Sequence, residues 1–308
     1  MATFREKEQH CLHSFMSSGP YWHVYTPGRQ TGIIFKSEED YSFAMNVMAQ
    51  SALQYPGVKV ISFAIMSNHV HILASGQIEE ITEYFVFFKK RLTRGLFSGG
   101  NRRMPNEFVP CIKEVADLSS IRNTIVYINR NGYVADASHT PFSYPWGTCG
   151  FYFNRFFQGA AFESLSTATR RKMFRGRVPI FAEDAVIMDG YVAPVSYCAI
   201  RFGMALFRDA HHYFAMLSKN VEAYSGVAAD LDDDEFMTDT ELFTQISAIV
   251  KTKYGLRGIT ELSKAQKIEL AGTLHYDFKS SNGQIRRILG LSQYETDSLF
   301  PLSAKTQQ

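Results

Sequence analysis

The sequence predicts an α+β protein: an antiparallel sheet with helices on one face, followed by an all-α C-terminal domain. Three observations predict it. Residues alternate along two neighbouring runs at 59–66 and 69–75, helical spacing recurs on both sides of them, and after Ala160 strand signals give way to helix. At 308 residues, 45% hydrophobic and 14% aromatic, the chain can build two cores, and we expect domains at 1–160 and 161–308.

The elements follow in order. "YWHVYTP" (21–27) reads as a strand, and Glu38 to Leu53 as a helix whose apolar positions are Phe43, Val47, Met48 and Leu53. "KVISFAIM" (59–66) is a strand, Ser67-Asn68 a tight turn, and "HVHILAS" (69–75) the returning strand of a hairpin. A helix from Glu79 to about Leu96 has acids in its first turn and bases in its last, as the helix dipole favours. Within 119–134, Ser119 or Ser120 can cap a helix with Ile121, Ile125 and Ile128 as its stripe and Gly132 at its C-terminal end. Beyond 160, Tyr191 to Ser225 reads as helix and the acidic run 230–236 as loop. The stretch 264–300 has the spacing of a helix-turn-helix, with Ser292 capping its last helix.

Formal charge is +2; residues 1–160 carry 15 basic and 12 acidic side chains, so a polyanionic partner has to be argued from local patches. Cys11, Cys111, Cys149 and Cys198 form no CxxC pair, which disfavours a structural zinc site or a disulfide framework and points to a reduced cytoplasm. No apolar run reaches the roughly 20 residues of a membrane span.

Chemistry enters with "MSNHVHILA" (66–74). Side chains alternate along a strand, so His69 and His71 leave one face together and two imidazoles converge, as a metal site requires. In "YINRNG" (127–132), Tyr127 and Asn131 are four apart and share a helix face.

"MSNHVHIL", then "YINRNG" about sixty residues later, then "PFSYPWGT", together resemble the single-tyrosine HUH transposases, in particular the REP-associated tyrosine transposases, over residues 20–150. Ser67 and Gly132 stand where the family's pattern has proline, and "PWGT" replaces its Trp-Ser-Ser run. The resemblance implies a ferredoxin-like sheet with the histidine pair at its centre and the tyrosine helix packed nearby. It further implies that His69, His71 and Asn131 bind a divalent cation, Mg²⁺ in cells with Mn²⁺ as an alternative, and that Tyr127 attacks DNA to form a 5′-phosphotyrosine.

The implied partner is single-stranded or hairpin DNA, with a second copy of the chain as a candidate partner. Lys89, Lys90, Arg91, Arg94, Arg102 and Arg103, with no acid between residues 84 and 106, are candidates for phosphate contacts, and Arg286 and Arg287 for duplex contacts. Two alternatives stay open: a non-cleaving DNA-binding protein of the same fold, and a zinc hydrolase using Glu114 or Asp117 beside the histidines.

Overall fold

The computed structural model describes residues 3–28, 31, 33–97, 103–135, 143–219, 239–278, 280 and 282–300. Two compact units separate, one drawn from 1–133 and 139–233, the other from 134–138 and 234–308.

The first unit opens with α1 (Phe4–Met16), a helix not anticipated above although its start is written in the sequence. Thr3 caps it and Glu6 returns a bond to the Thr3 backbone, a Thr-x-x-Glu capping box. A βαββαβ run follows: β1 (Tyr21–Tyr25), α2 (Glu38–Gln54), β2 (Lys59–Ile65), β3 (Val70–Ser75), α3 (Ile78–Phe97) and β4 (Cys111–Glu114). The strands lie in the order β2-β3-β1-β4, every neighbouring pair antiparallel, which is the ferredoxin-like arrangement.

Both crossover helices sit on one face. Val24, Val70, Ile72 and Ala74 join Phe43, Val47 and Met48 of α2 and Ile81, Phe85, Phe88 and Leu92 of α3 in one core. Each such buried side chain contributes roughly 1.5–3 kcal/mol. The opposite face is also covered, by a helix that follows the βαββαβ run. Every residue of β3 is buried, so both of its faces need a cover. On the histidine face that cover is α4 (Leu118–Ala135). Its start is capped by Asp117, whose carboxylate accepts from the N–H groups of Ser119 and Ser120, rather than by either serine.

A register shift between Val60 and Ser62 bulges β2 at Ile61. Val60 pairs with Ala74 and Ser62 with Leu73, so the bulge turns Ser62 onto the histidine face despite its even number. There its hydroxyl donates to Asn129 Oδ1 at 2.9 Å.

Residues 160–219 belong to this unit, not to a separate helical domain. They form a small sheet, β5 (Ala160–Ala161), β6 (Val186–Met188) and β7 (Tyr191–Val192), with α5 (Thr167–Phe174), α6 (Ile200–Ala205) and α7 (Ala210–Lys219). The Asn46 side chain of α2 donates to Gly190 O and accepts from Val192 N. Arg91 of α3 donates to Phe174 O. These ties move the boundary from 160 to about 234. They also replace the single helix expected over Tyr191–Ser225, of which 220–225 lies outside the described residues.

The second unit is all-α: α8 (Asp239–Ile249), α9 (Lys264–Tyr276), α10 (Asn282–Leu289) and α11 (Gln293–Leu299). Leu242, Ile246, Leu270, Leu274, Ile285 and Leu289 form its core. Gly290, at φ +64°, turns the chain between α10 and α11, and Ser292 caps α11 with a capping box to Glu295. The acidic run 230–236 lies outside the described residues. No helix among the described residues is long and apolar enough to cross a membrane.

Candidate active site

Met66 N–H donates to His69 O at 2.9 Å, closing the turn that starts β3. From there His69 and His71 project together, ring centroids 5.0 Å apart and planes at 88°. Helix α4 lays Tyr127 across them, its ring 5.3 Å from that of His71 and nearly perpendicular to it. Tyr127 and His71 are 0% exposed and His69 is 3% exposed. Asn131, one helical turn beyond Tyr127 on the same stripe, is fully buried. Tyrosine and histidines, 56 residues apart along the chain from 71 to 127, thus meet within one subunit.

A further histidine was missed in the sequence. His23 Nε2 lies 3.2 Å from His71 Nδ1, and its ring is 6.2 Å from that of Tyr127. The signal was present: in β1, Tyr21, His23 and Tyr25 alternate onto one face, and Tyr25 pairs directly with His71. Tyr25 stacks on His71 at 6.2 Å.

The spacing of the two imidazoles fits a shared cation. Metal–nitrogen bonds of about 2.0–2.1 Å place each ring centroid roughly 3.2 Å from the ion, so rings sharing one ion lie roughly 4.5–5.3 Å apart. The observed 5.0 Å falls inside that window. Among the described residues no group of three or more His, Cys, Asp or Glu side chains could hold a metal ion, so a third protein ligand would be of another residue type, for which the Asn131 amide is the candidate. The zinc-hydrolase alternative loses its carboxylates as well. Asp117 is engaged as the α4 cap, and Glu114 pairs with Trp22 in the alternation that faces away from the histidines.

The aromatic tail packs against the same helix. Tyr144 donates its hydroxyl to Ile65 O at 2.6 Å, and a Cβ at Gly132 would come within 2.1 Å of the Tyr144 ring. Gly132 is therefore required inside α4, which continues to Ala135, and is not a C-terminal cap. Thr148 donates to Asn129 Oδ1 at 2.8 Å and accepts from Phe63 N at 3.1 Å.

The basic candidates of α3 do not gather at this cluster. Lys89, Lys90, Arg91 and Arg94 lie on α3, in the layer across the sheet from the imidazoles. Arg91 is bound to Gln50 and to Phe174 O, and burial lowers its pKa, so it serves as a tie between helices. Lys90, Arg94 and Arg103 are exposed; Arg102 lies outside the described residues. In the second unit Arg287 is ion-paired with Asp239, and Arg286 donates to Gln293 at 3.4 Å. Tyr294 of α11 is exposed, whereas Thr296 is buried and bonds back to Ser292 O.

No protein-family model matches the chain. ADP-ribosylation factor-like protein 15 of Homo sapiens and of Mus musculus is each 39% identical to it over 70 residues, 21% of this chain and 33% of that protein. The chain thus spans about a third of the length of the curated relatives it matches. It contains no Gly-Lys step, and so no phosphate-cradling loop of the Gly-Lys-Ser/Thr kind. Among solved structures, a REP-associated tyrosine transposase bound to a REP hairpin is similar with a TM-score of 0.37 at 13% identity, covering 56% of this chain and 94% of that one.

Proposed function

We propose that the protein is a metal-dependent single-stranded DNA endonuclease and strand transferase in which Tyr127 is the nucleophile. The observation that carries this reading is the Tyr127 ring set edge-on to His71 at 5.3 Å, beside a His69–His71 pair with cation-compatible spacing. His69, His71 and Asn131 would hold the cation, Mg²⁺ or Mn²⁺. When bound it polarises the scissile phosphate and offsets the charge that develops there. Tyr127 Oη bonds to phosphorus as the bond to the 3′ oxygen breaks. The phenol proton ends on that oxygen as a 3′-hydroxyl, leaving a 5′-phosphotyrosine that a second 3′-hydroxyl can reverse. Because Tyr127 lies beside the histidines of its own chain, the reading favours an active site completed within one subunit. Single-stranded or hairpin-forming DNA is the substrate class that the sequence resemblance implies.

A second reading, a DNA-binding protein that does not cut, is favoured by the complete burial of Tyr127, which has no solvent path at rest. Incubation with 3′-labelled hairpin-tailed single-stranded DNA and Mn²⁺, followed by a denaturing gel, separates the two. The nuclease reading expects a labelled protein adduct that disappears in Tyr127→Phe. It also expects His69→Ala to abolish the adduct while DNA affinity changes little, because the imidazole serves the cation and not the strand. DNA binding without adduct in the wild type would establish the second reading.

A further inference from the structure

The side-chain amide of Asn68, in the turn between β2 and β3, has its orientation fixed by its neighbours. Its Nδ2 donates to the carbonyl oxygens of Gly28 at 2.7 Å and Thr31 at 2.9 Å. Both partners can only accept, so the nitrogen and oxygen of this amide cannot be interchanged. Oδ1 therefore faces His69 Nδ1, 2.7 Å away. An amide oxygen also only accepts, so Nδ1 of His69 carries the hydrogen, and in the neutral ring the lone pair resides on Nε2.

The same loop also lies against the ring. A Cβ built on Gly28 would stand 2.8 Å from His69 Nδ1 and 3.1 Å from Cγ and Cε1, so only glycine lets the backbone lie this close to the imidazole. The loop is itself anchored to the hairpin. Thr26 N–H donates to Val70 O and its hydroxyl accepts from Val70 N, both at 3.1 Å. The N–H groups of Ile34 and Phe35 donate to Ser67 O at 2.8 and 2.9 Å.

We propose that Asn68 is a positioning residue: with Gly28 against the ring, it locks His69 in the Nδ1–H tautomer and presents Nε2 as the metal-ligating atom. The inference rests on reading His69 as a ligand. Acceptors at the second nitrogen of a ligating imidazole set its tautomer and orientation, and their loss lowers metal affinity ~10–100-fold.

The test uses the full chain with ¹⁵N-labelled histidine, free of metal and at mildly alkaline pH so that the rings are neutral. Long-range proton–nitrogen correlation reads which nitrogen of His69 bears hydrogen, and calorimetric titration reads Mn²⁺ affinity. The wild type is expected to show Nδ1–H. Asn68→Leu should lose that signature together with ~10–100-fold in Mn²⁺ affinity. A wild-type Nε2–H tautomer overturns the proposal without any variant. So does an Asn68→Leu protein that keeps both the Nδ1–H signature and the affinity. A wild type with Nδ1–H that takes up no Mn²⁺ overturns the ligand reading and this proposal with it, and is distinguishable because the tautomer is measured without metal.

Discussion

The carboxylate of Asp117 accepts from the Ser120 hydroxyl and from the backbone N–H groups of Ser120 and Ser119, and these bonds hold its pKa below the ordinary aspartate value. A depressed carboxyl pKa adds stability that is complete above the ordinary value and is lost as pH falls through the folded-state value. Asp117→Ala should therefore lower the unfolding free energy by about 1 kcal/mol near neutrality, with the gap to wild type closing in strong acid. Urea unfolding across that pH range checks both parts. The case also marks the limit of local reading. Asp117, Ser119 and Ser120 all carry cap-forming oxygens within four residues, and nothing in the sequence ranks them. The histidines differ in the same way. His69 and His71 stood out because a strand with two imidazoles on one face is conspicuous, whereas His23 was hidden among aromatic residues and gains meaning only through the register that sets β1 beside β3.

At the scale of the element, α4 shows a tertiary contact overriding helix propensity. Gly132 lies inside the helix, where alanine would ordinarily be better by about 1 kcal/mol. Here a Cβ meets the Tyr144 ring at 2.1 Å, and that ring is held by its bond to Ile65 O. Gly132→Ala is thus expected to destabilise by about 1–3 kcal/mol, the cost of overpacking, and thermal denaturation would show a lower midpoint. The strands β1, β2 and β3 and the helices α2, α3 and α4 were legible because one amphipathic period dominates each, whereas β4 was not placed. The bulge at Ile61 was not, since "VISFAI" alternates regularly and only pairing with β3 reveals the extra residue. Nor was the cover over the histidine face: the burial of β3 on both sides is a fact about α4, written sixty residues away.

At the scale of the molecule, the change in composition after Ala160 suggested a domain boundary that the contacts do not follow. Among the side chains that bind this region to the sheet domain, Asn46 and Arg91 lie within α2 and α3 and carry no mark of that role in the sequence. Truncation gives a direct test. A fragment ending at 219 should melt cooperatively, because β5–β7 and α5–α7 stay with their partners. One ending at 160 should lose cooperative melting, as Asn46, Arg91 and the buried faces of α2 and β2 are stripped of contacts. A fragment spanning 234–308 should give helical circular dichroism by itself, since its core draws on its own residues.

Two residues that follow Tyr127 on α4 reach to α7: Asn129 Nδ2 donates to Tyr213 Oη and Arg130 to Leu217 O, each at 3.0 Å. The helix that carries the proposed nucleophile is therefore tied to α7, which belongs to neither the sheet nor its crossovers.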